Sequence, residues 1–227
     1  MRFRLPAALV LAIGLAVPAW AETGPQITVT GEGVVELPPD MATLRLGVVS
    51  EARSAADALA SNSADMAAVL AFLADAGVAE TDIQTSGLTL MPRQDRDAQG
   101  RAMTVGFMAS NQVTVRVRDL GRLGGLMDAV VREGANRFDG LQFGLSDMSA
   151  ALAEARARAV ADARAKAETY SAAAGVTLGP IMTIADQSGG FGPMEMRMVA
   201  AAADAVPIAA GALSVTAGVT ITWALAP

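Results

Sequence analysis

Apolar and polar positions alternate along the chain with two distinct periods. Ile27, Val29, Gly31, Gly33, Val35 and Leu37 lie two residues apart, the period of a half-buried strand. Leu44, Leu46 and Val48 repeat it after the turn Leu37-Pro38-Pro39-Asp40, which predicts an antiparallel pair of strands. From Ser54 to Gly77 the spacing changes to three and four, with Leu59, Met66, Val69, Leu70 and Leu73 on one helical stripe. Asn62 falls on that stripe, where a buried amide must find partners, so it is expected to bond to backbone inside the core. Leu88 and Leu90 begin an edge or bulged strand, because Pro92 cannot serve a central ladder. The returning strand ends in Val113, Val115 and Val117, with Thr114, Arg116 and Arg118 facing the other way.

A third helix is predicted from Leu120, Leu123, Met127, Val130 and Val131, ending near Gly134. Its Gly124-Gly125 pair weakens it and would suit close packing. Arg137–Leu145 reads as a short strand. The longest periodic segment follows, Ser146–Gly175, where Leu152, Ala155, Ala159, Ala163, Ala167, Tyr170 and Ala174 mark a mostly alanine inward face. Glu154 with Arg158, Asp162 with Lys166, and Arg164 with Glu168 are oppositely charged and four apart. Ser146 or Asp147 can cap its start, and Gly175 can take the left-handed position at its end. Leu178–Ile184 and the alternating Leu213–Trp223 supply further strands. The order β-β-α-β-β-α-β-α-β predicts an α+β fold, a mainly antiparallel sheet covered by helices.

The ends and the composition narrow the setting. Arg2 and Arg4, an apolar run, and the small-x-small triplet Ala19-Trp20-Ala21 form an export signal, with cleavage expected after Ala21 and a mature chain of residues 22–227. That length suits one domain or two closely joined lobes. Fifteen basic residues against twenty-three acidic ones then remain, a net charge of −8 that disfavours nucleic acid and anionic lipid as partners. The chain has no cysteine and no histidine, which excludes disulfides, thiol catalysis and the usual general base and zinc ligand. No second apolar run is long enough for a transmembrane helix.

Few segments carry candidate chemistry. Gly31-Glu32-Gly33 lies within a strand pattern without a third glycine or following helix, so it signals a bulge or a close backbone approach rather than a phosphate loop. Asp95-Arg96-Asp97-Ala98-Gln99-Gly100 opens like a calcium loop, but the twelfth position is Gly106 where a bidentate glutamate is needed, and a hairpin turn fits better. Gln187–Ala205 reads as a long mobile loop. Within it Met194, Met196 and Met198 form M-x-M-x-M, soft thioethers suited to Cu(I) or to sacrificial oxidation.

Several ordered segments together resemble the SIMPL-domain family of exported bacterial proteins. They are Gly31-Glu32-Gly33 with Pro39-Asp40, Asp82–Ser86 with Pro92, Asp162–Ala167 with Gly175 and Leu178-Gly179, and Pro207–Gly211 before the last strand. Where that family leads one to expect an aromatic after Pro92, this chain has Arg93-Gln94. The resemblance implies an α+β fold, export to the periplasm where an outer membrane exists, an association with oxidative-stress phenotypes, and scope for homo-oligomers. It transfers no catalytic residue and no cofactor. The leading expectation is a non-enzymatic envelope protein that self-associates or binds an envelope partner. The alternatives are methionine-based copper binding or oxidation, and an enzyme in which Asp40, Asp82, Asp95 or Asp97 converge.

Overall fold

The computed structural model describes residues 24–187, 191–193 and 208–226. The proposed signal segment and Met194, Met196 and Met198 lie outside them. The strands are β1 (Gln26–Leu37), β2 (Met41–Ala52), β3 (Ile83–Arg96), β4 (Ala102–Val117), β5 (Arg137–Gly144), β6 (Thr177–Gln187), β7 (Phe191–Pro193) and β8 (Leu213–Ala226). The helices are α1 (Ala55–Asp75), α2 (Leu123–Arg132) and α3 (Ser149–Ala174), which completes an α+β arrangement. Every ladder is antiparallel, but the strands divide between two sheets, one ordered β1-β8-β6 with β7 also beside β8, the other β3-β4-β2-β5.

This division corrects the expected β1–β2 pair. β1 pairs along its whole length with the C-terminal β8, from Gln26 opposite Ala224 to Leu37 opposite Leu213, while β2 pairs with β4 and β5. Pro38-Pro39 explains the outcome: two fixed, extended residues without N–H donors cannot close a tight hairpin, so the chain runs straight on into the other sheet. Asp40 secures the crossing. Its backbone N–H donates to Gly144 O at 3.1 Å, and its carboxylate accepts from Ser146 N at 2.7 Å and Ser146 Oγ at 2.6 Å.

α3 packs on β1 and β8. Its buried residues recur strictly every four, at Ala151, Ala155, Ala159, Ala163, Ala167 and Ser171, so Tyr170 and Ala174 lie outside the expected stripe and Tyr170 is 60% exposed. The approach is close because β1 presents Gly31 and Gly33 beneath the middle of the helix. A Cβ added at Gly31 would sit 2.1 Å from Ala159 O, and one at Gly33 1.9 Å from Ala155 O. The register of β1 is unbroken there, so the glycines mark a close approach and not a bulge. Asp162 adds a bond from Glu32 N at 2.8 Å. The three expected i,i+4 ion pairs of α3 all form.

α1 covers the second sheet with larger groups. Met66, Val69 and Leu73 pack with Leu44, Leu46, Val48, Val113 and Val115 in the main core. Here too the stripe is one residue off: Ala58 is buried and Leu59 is 37% exposed. Asn62 is fully buried, as expected, and its amide donates to Val48 O at 2.8 Å and Ala109 O at 3.2 Å. In α2 the buried residues are Leu123, Leu126 and Val130, while Val131 is 50% exposed and a Cβ at Gly125 would meet open space, so that glycine marks no close packing. All three helices end alike. Gly77, Gly134 and Gly175 take positive φ, and the residue after each donates five positions back, Val78 to Leu73, Ala135 to Val130 and Val176 to Ser171.

Candidate functional site

The four carboxylates weighed as catalytic groups are bound into the scaffold. Asp40 holds the strand crossing, and the Ser146 hydrogen bonds keep its carboxyl below the usual carboxylate range. Asp82, whose side chain is 5% exposed, receives Arg118 Nε at 2.7 Å and Nη2 at 2.9 Å, and this fork lowers its pKa likewise. Arg118 also lies within electrostatic reach of Asp40. Asp95 accepts from Arg96 N. Asp97 Oδ1 accepts from Gln99 N and Arg101 N, both at 2.9 Å, and shapes the turn that closes on Gly100 at φ 78°. That turn belongs to a hairpin, as expected, and lies at the far end of β4 from Arg116 and Arg118. Thus Asp40 is held by Ser146 and Asp82 by Arg118, Asp95 and Asp97 sit at a distant tip, and no group of three or more acidic residues is placed to hold a metal among the described residues.

Two other features are better placed to bind something. The first is a cavity of about 480 Å³ where α1 ends and α2 begins. Phe72, Val78, Val117 and Leu126 give it apolar walls, and Arg116, Arg118 and Arg122 line it together with Asp82 and Asp119. Local structure sets each of them. Gly77 turns the chain out of α1, a 3-10 turn at Glu80–Asp82 places Asp82, and a second at Leu120–Arg122 is capped by Asp119, which accepts from Gly121 N at 3.1 Å. Arg122 Nη2 reaches Ala76 O at 3.1 Å, supplying the cation that the last turn of α1 lacks. The three arginines come from one short run, Val115-Arg116-Val117-Arg118-Asp119-Leu120-Gly121-Arg122. Their concentration was visible in the sequence; that Arg122 folds back beside the strand end was not.

The second feature is the β3–β4 hairpin. β2 pairs with β4 only as far as Phe107, so Ala102–Gly106 and the facing Arg93–Arg96 extend beyond any third strand. β3 is an edge strand with bulges between Thr85 and Gly87 and between Arg93 and Gln94, and Leu88 at 59%, Met91 at 49% and Met103 at 52% are exposed along the hairpin. Arg93, standing where an aromatic is expected, forms an ion pair with Glu51.

The sequence profile of the SIMPL family, a protein family of unknown function (DUF541), matches residues 27–223. The chain belongs to the SIMPL family. Among the relatives of this SIMPL chain is the 26 kDa periplasmic immunogenic protein of Brucella melitensis, 36% identical over 95% of this chain and 93% of the other. The uncharacterized protein YggE of Edwardsiella ictaluri is 31% identical over 80% of this chain and 77% of its own. YggE of Escherichia coli K12 is 29% identical over 82% and 75%. The match runs from β1 into β8 and so covers residues of both sheets and of α3.

Proposed function

We propose that the protein is a non-catalytic periplasmic envelope protein, exported by residues 1–21, whose mature domain of residues 22–227 associates with further copies of itself through the β3–β4 hairpin. The hairpin carries the reading. Leu88 and Leu90 stand opposite Asn111 and Ala109 on the α1 side of the sheet, Met91 stands opposite Met108 on the reverse, and all three are exposed. Exposed apolar groups on the edge strand at the base of the hairpin gain from burial at about 25 cal/mol per Å². The periplasmic name of the Brucella relative supports the location. The structural commitments of Asp40, Asp82, Asp95 and Asp97 support a role without catalysis, and any protection against oxidative stress is then indirect. Light scattering of the mature chain tests the reading: a mass above one chain supports it, and a monomer at all concentrations removes it.

Methionine oxidation is the second reading, favoured by the exposure of Met91, Met103, Met148 and Met182, each between 42% and 52%. Peptide mapping after peroxide treatment should find these four oxidised before Met66, which is 2% exposed; equal rates would end it. Cu(I) binding by Met194, Met196 and Met198 is tested by titrating the mature chain against the triple Met→Leu variant, where identical isotherms would end that idea.

A further inference from the structure

We propose that the interface between the first half of α1 and the β2–β4 ladder is a binding site for one resident water molecule, held by Ser50, Asn62 and Asn111. Ser50 continues the inward-facing series Leu44-Leu46-Val48 of β2, and Asn111 continues Val117-Val115-Val113 of β4, so each puts a polar group where the alternation calls for an apolar one. Ser50 Oγ, Asn62 Oδ1 and Asn111 Oδ1 are all buried and have no hydrogen-bond partner among the described residues. These three oxygens belong to one small patch. Ser50 stands opposite Ala109 and Val48 opposite Asn111, and the fully buried Asn62 lies over both rows, its amide nitrogen donating to Val48 O at 2.8 Å and Ala109 O at 3.2 Å. The two carbonyls also fix which way that amide points, because the reverse orientation would aim its oxygen at two acceptors.

The spacing suits a water. Ser50 and Asn111 are diagonal neighbours across the ladder, and such positions lie about 7–8 Å apart along the sheet. Their side chains close part of that distance and leave roughly 4–5 Å, too far for a direct bond and the span that one water bridges with two bonds of about 2.8 Å. Donors and acceptors balance as well. A water accepts from the Ser50 hydroxyl and donates one hydrogen to each amide oxygen, which satisfies all three groups and gives the three bonds usual for a buried water. The three groups are neutral, so a cation among them would be a buried charge without a counter-ion, a costlier arrangement than a water. The site extends the hold of Asn62 from two strand carbonyls to the side chains of both strands. It is formed within one chain and is independent of self-association.

Oxygen-17 relaxation dispersion of the mature protein, which counts waters held longer than the protein tumbles, is the first half of the test. The count should fall by one in Asn111→Leu and by one in Ser50→Val, each of which removes a polar partner and fills its space. The second half is a crystal structure of the parent protein, which should show a density peak within about 2.6–3.2 Å of all three oxygens and so decides the point even where a variant does not fold. An unchanged water count in both variants, or no peak among well-ordered Ser50, Asn62 and Asn111 side chains, would overturn the proposal. Anomalous scattering at the site in crystals grown with rubidium chloride would also overturn it, in favour of a monovalent cation.

Discussion

Two halves of this molecule each cover a four-stranded antiparallel sheet with one long helix, using opposite materials. On the β1-β8-β6 sheet, α3 lays an alanine every fourth residue over Gly31 and Gly33, so helix and strand backbones nearly touch and no large side chain lies between α3 and these glycines. On the β3-β4-β2-β5 sheet, α1 uses Met66, Val69 and Leu73 against leucines and valines, with Asn62 tethered to two strand carbonyls. The first half is sealed by shape. The second is filled by volume, and it leaves β3 uncovered and a cavity beyond the last turn of α1. The contrast teaches that one helix–sheet contact admits no added atoms while the other is held by side-chain volume.

The largest effect should come from breaking the sealed half. Gly33→Val places side-chain atoms where even a Cβ would lie 1.9 Å from Ala155 O, and neither backbone can give way cheaply. The loss should reach about 3 kcal/mol or more, with collapse of the thermal transition, as read by circular dichroism. A well-folded Gly33→Val protein would show that α3 does not pack as described. In the filled half, Leu73→Ala should cost about 2–5 kcal/mol by creating a cavity, measured by urea unfolding, and the fold should survive.

Smaller changes sharpen the contrast. Asn62→Ala removes the tether between α1 and the two central strands and should cost about 1–3 kcal/mol; an unchanged unfolding midpoint would make the tether irrelevant. Acid should act on Asp40 at the crossing between the halves and on Asp82, which Arg118 clamps within the second half. Hydrogen bonds from Ser146 and Arg118 hold Asp40 and Asp82 below the ordinary value of 3.8, so their stabilisation is fully present above that value and is lost as pH falls below it, through their folded-state pKa. In Asp40→Asn and Asp82→Asn variants the fall in stability below pH 3.8 should be shallower than in the parent protein. An identical pH profile would remove both clamps from the account.

Much of this was legible in the residues. Two-residue and three-to-four-residue periods located every long element, and the i,i+4 charges of α3, the three glycine helix ends and the buried Asn62 follow from local rules. The pairing of β1 was not legible, because an alternating strand carries no label for its partner; the stiff Pro38-Pro39 link sends the chain to the other sheet, and β8 arrives from the far end of the sequence. Periodicity places Leu59 and Tyr170 inward, whereas both side chains are exposed. Alanine at small separations can be buried as readily as larger residues, so Ala58 and Ser171 displace them. The candidate site was the least visible. It depends on Arg122 returning to Ala76 across sequence distance, while the carboxylates that attract notice in the sequence turned out to hold turns and crossings.

The division of labour between the halves is tested most directly by the mass of the mature protein in solution, measured by light scattering beside a Leu88→Ser, Leu90→Ser, Met91→Ser variant. These side chains are exposed, so the variant should keep its melting behaviour, with a stability change within about 0.5 kcal/mol. The account predicts an assembly larger than one chain for the parent protein and a folded monomer for the variant. A monomeric parent, or a variant that assembles as the parent does, would contradict it.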